Sequence, residues 1–222
     1  MSPAPFANRV YRGDCVRVLP RLPSASVDLV VTDPPYLIRY KSRDGKGVLN
    51  DDNDRWLFPA FAEVGRVLKP GRFCVSFYGW SQADRFLAAW RAAGLTPVGH
   101  FVWVKRYASS RRLAACQHEV AYLLVRGWAS EPNRIIPDVL PWSYTGNLLH
   151  PTQKPVSALA PVIEAYSRPG EVVLDPFMGS GSTLVAARAL KRQVVGVELD
   201  ATHYDTAVAR LRGPRELVPV AA

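Results

Sequence analysis

Short β-branched runs alternate along this chain with segments whose apolar residues recur at helical spacing, and that rhythm restricts it to an α/β architecture with a mainly parallel sheet. Residues 28–32 read Asp-Leu-Val-Val-Thr and then meet Pro34-Pro35, whose missing amide hydrogens prevent the ladder from continuing. A strand therefore delivers Asp33 at its carboxyl end. The spacing of Leu57, Phe61, Val64 and Leu68 predicts a helix over 56–68, with Pro70-Gly71 as its stop and a strand over 72–78. Phe86, Leu87, Trp90 and Ala93 predict a second helix ended by Gly94, followed by strands at 98–104 and 120–125. Beyond Pro155 the alternation resumes with a helix over 156–167, a strand at 172–174 and a glycine-rich turn. A helix reaching Leu190, a strand at 194–198 and a helix over 202–211 complete it.

A chain of 222 residues is expected to fold as one domain. Two stretches break the rhythm: 39–55, polar and rich in both charge signs, and the basic, aromatic and proline-bearing region 106–149. The second is expected to be a small target-recognition insertion, since long insertions in compact domains usually carry function. The tail after Gly213 is expected to be loosely held. Hydrophobic residues at 48% and charged residues at 21% exclude a disordered or fibrous chain. No segment approaches the ~20 apolar residues of a membrane span and the N-terminus has no signal-peptide core, so a cytoplasmic address and no membrane partner are expected. Cys15, Cys74 and Cys116 are widely spaced without a CxxC or a His-rich pairing, which reads as free thiols and no metal site.

The formal net charge is +9, an excess that commonly reflects a polyanionic partner, nucleic acid first. Solubility alone accounts for many basic proteins, so charge needs a motif beside it. Residues 172–183, Val-Val-Leu-Asp-Pro-Phe-Met-Gly-Ser-Gly-Ser-Thr, supply one: a strand, a tight turn whose glycines let a ligand approach the backbone, and a helix N-terminus. Glu198 closes the next strand about 20 residues later, where a carboxylate accepts both hydroxyls of a ribose. There is no third glycine in dinucleotide register and no Gly-Lys-Ser/Thr, and Asp175 stands where it would repel a phosphate. A ligand with a positive centre fits better, as S-adenosylmethionine does with its sulfonium and ammonium.

The Asp33-Pro34-Pro35-Tyr36 loop suits the other half of such a reaction. An exocyclic base amine is a poor nucleophile because its lone pair is delocalised into the ring. Asp33 and the Pro34 carbonyl can each accept a hydrogen bond from it, and Tyr36 offers a ring on which a flipped base stacks. Taken alone, the same four residues read equally well as a strand-ending turn.

With Gly13-Asp14-Cys15, His150-Pro151-Thr152-Gln153-Lys154-Pro155, Asp175 to Thr183 and Gly196-Val197-Glu198, the loop resembles the motif series of the permuted β class of amino-methylating DNA methyltransferases, with the catalytic motif ahead of the glycines. The resemblance runs along nearly the whole chain. It implies a Rossmann-like methyltransferase fold of seven strands, one antiparallel, and a site-specific DNA methyltransferase using S-adenosylmethionine. Adenine N6 in double-stranded DNA is the implied acceptor, with cytosine N4 as the alternative; an RNA methyltransferase and an inactive DNA-binding homologue are the remaining readings. Within that resemblance Asp14 would bond the cofactor adenine, with Cys15 contributing its backbone, and Lys154 would reach the methionine carboxylate. Asp175 would hold the cofactor's amino end. Phe177, Gly179, Ser180, Gly181, Ser182 and Thr183 would line its methionine and ribose, Glu198 would bind the ribose, and Asp33 would touch both cofactor and amine.

For DNA, Lys105, Arg106, Arg111, Arg112, Arg126 and Arg134, interleaved with Tyr107 and Trp128, read as phosphate contacts. Arg39, Lys41, Arg43 and Lys46 read as a segment closing over a flipped base. A homodimer and a cognate restriction nuclease are the family's further partners. Cys116-Gln117 lacks the preceding proline of a cytosine-C5 enzyme, and Cys116 reads as structural.

Overall fold

The computed structural model describes residues 5–41, 45, 47–110, 113–144, 149 and 153–213. Its sheet has eight strands: β1 Arg9–Arg12, β2 Val27–Thr32, β3 Leu68–Phe77, β4 Leu95–Val104, β5 His118–Arg126, β6 Val139–Pro141, β7 Val172–Asp175 and β8 Gln193–Glu198. The helices are α1 Cys15–Val18, α2 Leu57–Val67, α3 Ala83–Ala92, α4 Val156–Tyr166, α5 Ser182–Ala189 and α6 Ala201–Arg212. The spatial order is β1-β8-β7-β2-β3-β5-β4-β6, and only β5 runs against the rest.

Strand periodicity divides the core in two. Val30, Cys74 and Leu174 face a layer built from α1, α2 and α3, where Phe61, Trp90 and Leu57 are buried. Leu29, Val31, Phe73, Val75 and Val173 face α4, α5 and α6 on the other side, with Ile163 and Leu184. β2 is buried along its whole length. A parallel strand covered on both faces needs apolar residues pointing both ways, and Val27, Leu29, Val30 and Val31 supply them, each worth about 1.5–3 kcal/mol when fully buried.

Three expectations need correction. The sheet has eight strands rather than the seven that the resemblance implies, and its edge strands β1 and β6, four and three residues long and partly exposed, are too short for an alternation to register. Pro70-Gly71 does not stop α2, which ends at Val67; it lies inside β3, where four residues intervene between Leu68 and Phe73 against one between their partners Val27 and Leu29, three extra on β3. Finally, 106–149 is not one excursion, since it contains β5, hydrogen-bonded between β3 and β4. The tail from 214 onward lies outside the described residues.

This topology prepares a site. The connection from β2 leads through α2 on one face to β3, and that from β7 through α5 on the other face to β8, so the chain departs in opposite directions from two adjacent strands. A crevice opens at the carboxyl ends of strands at such a switch point. Asp33 follows β2 and Asp175 ends β7.

Candidate active site

The crevice is a cavity of about 510 Å³, within the range of small-molecule sites. Asp14, Cys15, Asp33, Pro34, Pro35, Tyr36, Lys154, Asp175, Phe177, Gly179, Ser180, Ser182, Thr183 and Glu198 all line it. Gly181, the remaining cofactor candidate, sits behind the wall as the N-cap of α5 at φ 83°. A left-handed residue is needed there to turn the chain into the helix, and glycine adopts it without a steric penalty.

On the cofactor side, hydrogen bonds bind the turn to its neighbours. The Met178 amide donates to the Val197 carbonyl at 3.0 Å, and the Gly179 amide to Glu198 Oε2 at 2.8 Å. Glu198 Oε1 accepts from the Asp200 amide at 2.7 Å. Burial raises the Glu198 carboxyl above its ordinary value, opposed by these two amides. Asp14 caps α1, accepting the Val16 amide at 2.9 Å, and the buried Cys15 thiol is pushed up to about 12 by desolvation and the Asp14 charge. Asp175 Oδ1 accepts the Thr32 hydroxyl at 3.0 Å and the Phe177 amide at 3.1 Å, yet desolvation lifts its carboxyl to about 7. A buried acid of this kind is suited to a cationic neighbour, which fits a cofactor carrying ammonium and sulfonium groups.

On the other side, both oxygens of Asp33 are engaged. Tyr36 donates its hydroxyl to Oδ1 at 2.7 Å, and Lys154 Nζ donates to Oδ2 at 2.6 Å. Burial raises the Asp33 carboxyl, with Lys154 and Tyr36 opposing the rise. Burial acts to lower Lys154, but the charges of Asp33 and Glu119 outweigh it and hold the ammonium above its ordinary value. The Lys154 ammonium also lies 5.4 Å from the centre of the Tyr36 ring and 5.0 Å from that of Phe77. The loop fits closely against the chain just beyond β3: a Cβ on Gly79 would stand 2.8 Å from the Tyr36 carbonyl oxygen.

Several lining residues carried no sequence signal. Trp56 is buried, packs edge-on against Phe177 at 5.0 Å and donates its indole N–H to the carbonyls of Asn50 and Asn53. Asp51 is buried as well, accepting the Tyr40 amide at 2.5 Å, while its own carbonyl accepts the Arg39 amide at 3.2 Å. The two ends of the polar segment 39–55 are thereby fastened together beside the cavity. Nothing in the acidic run around Asp51 marks one member as interior.

Among the described residues, the basic side chains do not form one surface. Arg39, Lys41 and Arg106 are exposed, whereas Arg43, Lys46, Arg111 and Arg112 lie outside the described residues. Lys105 is buried on Glu119 and is not a phosphate contact. Because β5 runs antiparallel, it carries the chain from the crevice end at His118 to the far end at Arg126. Arg126 there donates to the Arg66 and Leu68 carbonyls, Arg134 pairs with Glu164 at 2.9 Å, and Trp128 stands 96% exposed, all away from the crevice. Cys116 sits in a backbone turn with Ser109 and Ser110, outside the cavity lining. Among the described residues no helix is long and apolar enough to cross a membrane.

Comparison with known proteins agrees with this geometry. A DNA methylase family matches residues 27–135 and 125–209. The chain is 47% identical over 204 residues to a protein of Escherichia coli strain K12 named putative methylase YubD, covering 92% of this chain and 90% of that one. Among solved structures, the M1.HpyAVI complex with S-adenosylmethionine superposes with a TM-score of 0.73 at 23% identity, over 91% of this chain and 98% of that one. The PvuII DNA methyltransferase, cytosine-N4-specific, superposes with a TM-score of 0.76 at 18% identity, over 94% and 87%. These last two likenesses are of fold. The family match over residues 27–209 and the 47% identity to a protein named as a methylase establish that this chain belongs to the N6/N4 DNA methylase family, the S-adenosylmethionine-dependent enzymes that methylate amino groups of DNA bases.

Proposed function

We propose that the chain methylates adenine N6 in double-stranded DNA by direct transfer, with Asp33, Pro34, Pro35 and Tyr36 as the amine-binding loop. The carrying observation is that Asp33 and the Asp14, Gly179 and Glu198 group line one cavity. S-adenosylmethionine supplies an electrophilic methyl group on a sulfonium, so no further activation is required of the protein. The chain's task is to make the amine nucleophilic. Asp33 and the Pro34 carbonyl each accept a hydrogen bond from one of its two N–H groups, which localises the lone pair on nitrogen, and the Tyr36 ring stacks on the extruded base. The nitrogen's surplus proton then leaves toward Asp33 or water.

In this reading Glu198 binds the ribose hydroxyls, Asp14 and the Cys15 backbone the adenine, and Asp175 the amino end. Phe177, Gly179, Ser180, Gly181, Ser182 and Thr183 shape the pocket for the methionine and ribose, and Lys154 serves the carboxylate as well as Asp33. Arg39, Lys41 and Arg106, with Arg43, Lys46, Arg111 and Arg112, are assigned to phosphates. Target recognition is assigned to the parts of 106–149 that leave the crevice end of the sheet, 106–117 and 142–149.

Hydrolysis of DNA methylated by the purified protein with labelled cofactor tests the assignment. N6-methyladenine is the expected product. Recovery of N4-methylcytosine alone overturns the choice of base, and label in structured RNA but not in duplex DNA overturns the substrate. Asp33→Ala is expected to abolish transfer; parent-like methylation by that variant removes the loop from the mechanism.

A further inference from the structure

Lys154 lies between two acids, and only one of them belongs to the amine-binding loop. Its ammonium is 2.6 Å from Asp33 Oδ2 and 3.9 Å from Glu119 Oε2, and its side chain is only 8% exposed. Glu119 is in turn paired through its other oxygen with the buried ammonium of Lys105. Asp33, Lys154, Glu119 and Lys105 thus form a line of alternating charge. It is assembled from the end of β2, the residue before Pro155, the start of β5 and the residue after β4. β4 fixes the register of Glu119, which faces Trp103 across the β4–β5 ladder, and the Lys105 amide donates to the Gln117 carbonyl at 2.8 Å.

The arrangement bears on a difficulty in the proposed chemistry. With Tyr36 on one oxygen and Lys154 on the other, Asp33 has its best acceptor positions occupied, and a neutral amine is a weaker donor than an ammonium. If Asp33 were the only side-chain acid beside it, turning toward the base would leave the buried Lys154 ammonium with the cofactor carboxylate as its one counter-charge, a costly state while that group is shared with the cofactor. Glu119 removes that obstacle. A movement of Lys154 of an ångström or two along the line exchanges one carboxylate for the other, and Lys105 keeps Glu119 from following it.

We propose that Glu119 is a positioning residue for methyl transfer: it is the alternate partner that takes Lys154 from Asp33 when the target amine arrives. The inference rests on the assignment of Asp33 as amine acceptor. Glu119→Gln keeps the size of the side chain and an oxygen for Lys105 but removes the charge that attracts Lys154, while Glu119→Asp keeps the charge. At saturating cofactor and DNA, the single-turnover rate of Glu119→Gln is expected to fall at least about tenfold, with cofactor and DNA dissociation constants within about twofold of the parent. Glu119→Asp is expected to recover most of that rate. A parent-like rate in Glu119→Gln overturns the proposal, and so does a loss carried by weaker binding or one that Glu119→Asp shares in full. Asp33→Ala measured alongside separates the two ideas. If it methylates normally, the loop assignment fails; if it is inactive while Glu119→Gln is parent-like, only the role of Glu119 fails.

Discussion

Gly79→Ala isolates how closely the amine-binding loop must be held. Gly79 has φ −77° and ψ 118°, values open to any residue, so alanine adds no backbone strain and acts through contact alone. Its Cβ would stand 2.8 Å from the Tyr36 carbonyl oxygen and 2.9 Å from the Tyr36 Cβ. An ordinary carbon–oxygen approach is about 3.3 Å or more, so the loop must retreat by roughly 0.5 Å. Overpacking of this kind costs about 1–3 kcal/mol, and near 1 kcal/mol lowers the melting temperature of a domain this size by about 2–4 °C. The greater effect falls on the reaction. Tyr36 is bonded to Asp33 at 2.7 Å, so the displacement reaches the acceptor carboxylate. A misplacement near 1 Å can cost ~100-fold in rate, and half of that distance should cost on the order of tenfold. Cofactor affinity should be preserved, because Gly179 and Glu198 belong to the turn after β7 and to β8. Single-turnover methylation combined with cofactor titration reads both quantities. Transfer within twofold of the parent would show that the loop has slack and refute the reasoning.

Two further predictions concern the cofactor side. Glu198→Ala is expected to weaken cofactor binding by at least about tenfold, since it loses the ribose acceptor and leaves the Gly179 and Asp200 amides without their carboxylate; unchanged affinity by calorimetry would remove Glu198 from the ribose site. Asp175 ionises near 3.9 in an unfolded chain but at about 7 in the fold, so the folded form retains its proton longer. Its contribution is therefore most favourable below about pH 4, declines as pH rises to about 7 and levels off above. Melting temperatures of the cofactor-free protein across this window should decline less for Asp175→Asn than for the parent, and equal slopes would contradict the assignment.

How much could be read from the chain follows from the range of each interaction. The helices around Phe61 and Trp90 and the strand at Val30 declared themselves because burial imposes a local period. β1 and β6 did not, being held by one neighbour's ladder over three or four residues. The two loops of the site were legible because each carries its chemistry in consecutive residues. The pairing of Lys154 with Asp33 spans 121 positions, and the burial of Trp56 and Asp51 and the placing of Glu119 beside Lys105 and Lys154 depend on elements distant in sequence. No local pattern encodes these. Lys105 was misread for a related reason: a lysine beside arginines has the composition of a solvated face, and only the fold turns it inward onto Glu119.

The adjacency of β2 and β7 has a consequence for how such an enzyme changes its target. Neighbouring strands lie about 4.8 Å apart, fixed by main-chain hydrogen bonds that no side chain can alter. In the proposed reaction, giver and receiver of the methyl group are thus mounted on a caliper made of backbone, and the span between them is inherited with the sheet. Segments that meet DNA can then lengthen, shorten or be exchanged, and the jaws of the caliper stay at the same setting.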